Sequence, residues 1–71
     1  MDKAAVAEKL KKERMSNGVI MQTLADVIGV QTVGTYYKKE TGSLNFSLEE
    51  AIALARFYGK TVEELFGDTM A

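Results

Sequence analysis

The residues that invite a chemical reading are two adjacent tyrosines and two adjacent lysines, Tyr36-Tyr37-Lys38-Lys39, and two pairs of carboxylates, Glu49-Glu50 and Glu63-Glu64. The carboxylate pairs resemble an acid/base device only on paper. Neighbouring helix residues point about 100° apart and do not converge on one substrate. Each pair also falls in the first turn of a helix, where negative charge complements the dipole. The 71-residue chain contains no His and no Cys. That removes the usual general base, the thiol nucleophile, the thiolate zinc site and the disulfide framework. We therefore expect no enzyme, no cofactor and no metal. Cations beside aromatic rings suit contact with phosphates and bases. A single adjacent tyrosine pair is a weak sign of single-strand stacking, and at least one ring is expected in the core.

The elements that must position these residues can be read from glycines and caps. Hydrophobic content is 46% and there is no proline, which fits an all-α chain with one core and little disorder. Residues 1–71 are expected to form a single domain with helices near 3–16, 20–28, 32–40, 48–58 and 62–66. Asp2 is the candidate cap of the first helix, whose core face carries Val6, Ala7, Leu10 and Arg14. Lys9, Lys11 and Lys12 lie beside Glu8 and Glu13, a solvated face with local ion pairs rather than a phosphate site. Gly18 stops that helix. The apolar run Val19-Ile20-Met21 leads into a second helix with Leu24, Ala25 and Ile28 on one stripe, ended by Gly29. Thr32 is the expected cap of the third helix. There Tyr36 and Tyr37 point inward or sideways, while Thr35, Lys38 and Lys39 are more exposed. Gly34 costs that helix roughly 1 kcal/mol against alanine. Close packing on the second helix would explain it, and so would close approach of DNA or a partner.

The C-terminal part holds two capping boxes, Ser47 with Glu50 and Thr61 with Glu64. Leu48, Ala51, Ile52 and Ala55 form the expected buried stripe of the fourth helix, with Phe57 or Tyr58 closing it. Gly59 and Gly67 end the last two helices, and residues 68–71 are expected to fray. The net charge of −1 counts against a strongly basic nonspecific DNA binder. Its distribution is uneven: residues 1–42 carry seven Lys/Arg and five Asp/Glu, and residues 43–71 carry two and five. No apolar run is long enough to span a bilayer and no signal-peptide core is visible, so a soluble, cytoplasmic protein without membrane contact is expected.

Leu24–Gly42 thus has the plan of a helix-turn-helix, whose second helix is offered to a partner, usually the major groove of DNA. Leu-Ala-Asp-Val-Ile-Gly at 24–29, Glu40-Thr-Gly42, and the tail Ser47-Leu-Glu-Glu through Gly59-Lys-Thr-Val-Glu-Glu-Leu-Phe66 resemble the Cro/C1 phage-repressor family over about residues 6–66. The resemblance implies a compact five-helix domain of the lambda-repressor-like type. It implies a sequence-specific transcriptional regulator that binds double-stranded DNA, as a homodimer on paired half-sites. It also implies an ion pair between Glu40 and Arg14. Two departures stand out. The family's Thr-Gln at the start of the second helix is Ile20-Met21 here, which loses a cap and a phosphate-anchoring amide and leaves Gln22 and Thr23 next door as the candidate substitutes. The turn is one residue longer, around Val30-Gln31, which leaves the register of the third helix open by one position. With Thr32 as cap, the base-reading positions are Thr32, Val33 and Thr35, with Tyr37 or Lys38, and Gln31 beside them in the turn. Lys38, Lys39, Ser43 and Asn45 then fit phosphates. These positions are poor in the amides and guanidinium groups that make bidentate base contacts. The second possibility is a protein-binding module, such as an antirepressor docking on another repressor through the 19–21 run. Phe66 and Met70, with the C-terminal helix, are the candidates for a dimer interface.

Overall fold

A computed structural model describes residues 3–67. They form five helices: α1 (Lys3–Ser16), α2 (Met21–Ile28), α3 (Val33–Glu40), α4 (Leu48–Tyr58) and α5 (Val62–Phe66), and no strand occurs among the described residues. The expected cap Asp2, the fraying of residues 68–71 and Met70 lie outside the described residues.

Local chemistry sets most of the boundaries. Thr32 caps α3, its hydroxyl accepting from the Thr35 amide at 3.2 Å. Ser47 and Thr61 each exchange both bonds of a capping box, with Glu50 and Glu64. Such reciprocal bonds satisfy two amides that the helix itself leaves open. The backbone bond from Thr61 also holds the Glu64 carboxyl below its ordinary range. Helix α2 begins one residue later than expected, because Ile20 is the capping residue and its side chain has no oxygen to offer. At the other end Gly29 sits at φ 80°, and the amides of Gly29 and Val30 both return to the Ala25 carbonyl. A side chain at that φ would be strained, so glycine is what lets the chain reverse between α2 and α3. Val30 and Gln31 occupy the turn, and α3 starts at Val33.

The five helices enclose one core. Val6 and Leu10 of α1, Leu24 and Ala25 of α2, Tyr36 of α3, Ala51, Leu54 and Ala55 of α4, and Leu65 and Phe66 of α5 are all buried within it. Phe46, in the α3–α4 loop, meets the Tyr36 ring edge-on at 6.1 Å between centroids. Two sequence expectations are overturned here. Leu48 and Ile52 are exposed, Leu48 at 68%, and Leu54 takes the place beside Ala51 and Ala55. The apolar arc of α4 is wider than the strip the core can cover. Phe66 is fully buried and offers nothing to an interface.

Arg14 and Glu40 form the ion pair that the family resemblance implies. Arg14 Nε donates to both Glu40 oxygens at 2.9 and 3.0 Å, and Arg14 Nη1 donates to the Val19 carbonyl at 3.4 Å. The bond to Glu40 raises the Arg14 pKa further above its ordinary value. This clamp ties α1 to the last turn of α3, so it fixes the angle at which α3 leaves the core. A second bridge, Lys60 to Glu13 at 2.9 Å, joins α1 to the segment between α4 and α5 and lowers the Glu13 pKa.

Candidate nucleic-acid interface

Helix α3 buries one side and offers the other. Tyr36 and Glu40, one turn apart, face inward and are buried. Val33, Gly34, Tyr37 and Lys38 are exposed, Tyr37 at 54%. Positions 33 and 37, and 34 and 38, are each one turn apart, so these four residues make a continuous outward strip. Gln31 and Thr32, also exposed, extend it at the N-terminal end. A β-carbon added at Gly34 would meet only the Thr32 hydroxyl oxygen, at 3.8 Å. Packing against α2 therefore does not account for the glycine.

Two expected contact residues are placed differently. Lys39 does not face solvent freely: its side chain is 13% exposed, and Nζ donates to Glu50 at 2.9 Å and to the Asn45 carbonyl at 3.0 Å. It also lies 5.8 Å from the centre of the Phe46 ring. The lysine staples α3 to the start of α4. Thr35 is half-buried on the flank, its hydroxyl within 3.1 Å of the Thr32 hydroxyl. Both hydroxyls are thus partly committed to capping. The exposed Gln22 amide donates to Asp26 at 3.1 Å, one turn along α2. That bond orients the amide and leaves its carbonyl and one N–H available. Ser43 and Asn45 are exposed in the loop after α3, where Asn45 is fixed through its backbone by Lys39.

The apolar run Val19-Ile20-Met21 at the start of α2 is divided. Val19 and Met21 pack against the core, and Ile20 alone is strongly exposed. The continuous apolar patch expected of a docking site at 19–21 is not formed. On α1, Lys12 approaches Glu8 at 3.9 Å with both side chains mostly exposed. This agrees with a solvated face carrying local pairs.

The sequence left Gly34 open between packing on α2 and close approach of DNA or a partner; its exposure and the free space around an added β-carbon remove the first of these. Among the described residues, no group of acidic side chains could hold a metal ion, and no helix is long and apolar enough to cross a membrane.

Comparison with known families gives a match to the helix-turn-helix family over residues 10–65. Comparison with curated proteins and with solved structures gave no match. The matched span runs from inside α1 to the end of the core in α5 and contains the whole α2–turn–α3 unit. With that span and five helices around one core, the chain belongs to the Cro/C1-type helix-turn-helix family of DNA-binding regulators.

Proposed function

We propose that this domain is a sequence-specific transcriptional regulator that lays α3 in the major groove of double-stranded DNA, two copies reading paired half-sites. The observation that carries the reading is the outward strip of α3. It combines a cation, a hydroxyl-bearing ring, a β-branched methyl surface and a glycine that the chain's own packing does not require. Thr32, Val33 and Tyr37 read bases through thymine-methyl contact and single hydrogen bonds, with Gln31 beside them. Lys38, Gln22, Ser43 and Asn45 meet phosphates. Lys39 serves this interface indirectly, by holding the loop that carries Asn45. The Cα extents of 30, 25 and 22 Å let two copies side by side address grooves about 34 Å apart, one turn of DNA.

An antirepressor role through residues 19–21 has less support, since a single exposed isoleucine is ordinary surface. The test is fluorescence anisotropy with a selected duplex over a range of salt. Lys38→Ala should weaken binding uniformly and reduce the salt slope by about 1. An unchanged slope with unchanged affinity would remove Lys38, and with it this placement of α3.

A further inference from the structure

Helix α4 (Leu48–Tyr58) turns Ala51, Leu54 and Ala55 into the core. Its other side carries Leu48, Glu49, Ile52 and Arg56, all exposed, with Ala53 half-buried among them. Leu48 and Ile52 stand one turn apart. Glu49 and Arg56 stand two turns apart and on nearly the same line of the helix. Neither Glu49 nor Arg56 forms an ion pair or side-chain hydrogen bond among the described residues, although Glu13, Glu40 and Glu50 are all paired.

We infer that this face of α4 is the surface on which a second copy of the chain docks, antiparallel, about a two-fold axis between Ile52 and Ala53. Glu49 precedes that point and Arg56 follows it by about the same distance, roughly 5 Å along the helix. A two-fold axis there brings Glu49 of each copy against Arg56 of the other. The pair therefore forms twice, as symmetry requires of an interface made from one patch. Ile52 packs on its own counterpart, and the small Ala53 lets the two helices approach. Leu48 extends the apolar contact at each end. Antiparallel helices also set opposite dipole ends side by side. The order of charge along the strip, acidic at one end and basic at the other, is complementary to itself. That self-complementarity selects a second copy over a partner of another kind. Scattered exposed aliphatic residues are common. Two in adjacent turns, framed by opposite unpaired charges in two-fold register, form a built surface.

The inference deepens the paired half-site reading and rests on it for its purpose, but association is measured without DNA. Sedimentation of the full chain over a concentration series is expected to show a monomer–dimer equilibrium. Glu49→Arg and Arg56→Glu should each weaken it about tenfold, and the double exchange should return it to within about threefold of the parent. Ile52→Asp should leave a monomer. Circular dichroism checks that each variant keeps its helices, and Glu49→Gln and Arg56→Gln serve if a reversal unfolds. A parent chain monomeric at roughly 1 mM overturns the proposal, as do single reversals without effect or a double exchange without recovery. A chain that is monomeric alone but binds a different protein through this face also overturns it. Dimers that bind no DNA would contradict the DNA reading and leave this surface standing. DNA binding by a monomer would do the reverse.

Discussion

Glu40, paired with Arg14, is the most deeply buried charged side chain in an ion pair among the described residues. The Glu40 side chain is 2% exposed and the Arg14 side chain 15%. Removing one partner strands the other charge out of water, which costs about 3–5 kcal/mol. That approaches the whole stability expected of a domain this small. Arg14→Ala should be the more damaging change, because the carboxylate it abandons is the deeper of the two. Replacing both by apolar residues of similar size should recover most of the loss, as read from urea midpoints. The tyrosines behave differently. The hydroxyls of Tyr36 and Tyr58 are buried and make no well-formed hydrogen bond. Burial pushes the Tyr58 pKa up to about 12, and burial together with the Glu40 carboxylate raises that of Tyr36 further still. An unfolded tyrosine ionises near 10. The stability tied to these neutral phenols is therefore complete below about pH 10 and is lost as pH rises toward the folded values. Tyr58→Phe should be neutral or stabilising at about pH 7 and should lessen the fall in denaturant midpoint between about pH 9 and pH 11. A large loss of stability in that variant would mean that the hydroxyl has a partner.

At the scale of elements, α3 is held from three sides and left open on the fourth. Tyr36 anchors it in the core, Arg14 clamps its last turn and Lys39 staples it to α4. Gly34 is the residue this arrangement does not use. Gly34→Ala should stabilise the fold by up to about 1 kcal/mol, since the new methyl meets only ordinary contact and the helix gains propensity. DNA affinity should fall in the same variant if the helix backbone approaches the groove at that point. Thermal unfolding and anisotropy on one preparation separate the two effects. Higher stability with unchanged affinity would place the glycine away from DNA. The caps of α3, α4 and α5 were legible in the sequence because Thr32, Ser47 with Glu50, and Thr61 with Glu64 act over three residues. The partner of Lys39 was not legible. Glu50 lies eleven residues away, and its side chain also serves its own helix cap. Periodicity marked an apolar arc on α4 but not which edge of it the core would cover, so Leu48 and Ile52 were misplaced and Leu54 overlooked. The Arg14–Glu40 clamp was visible only through resemblance, since 26 residues separate its members.

At the scale of the molecule, the charge map fits an economical DNA binder. Arg14, Lys39 and Lys60 are spent on internal bridges. On α3 this leaves Lys38 as the exposed cation. Few phosphate contacts mean modest nonspecific binding and a shallow salt dependence, with a slope of about −0.9 for each contact. On the proposed reading, specificity comes from shape, methyl contacts and the pairing of two copies rather than from bidentate amides. The most direct test of the central claim is selection from a pool of random duplexes at moderate salt, using the full chain. The account predicts enrichment of a two-fold symmetric site whose half-sites lie about one helical turn apart. Recovery of no enriched sequence would contradict it.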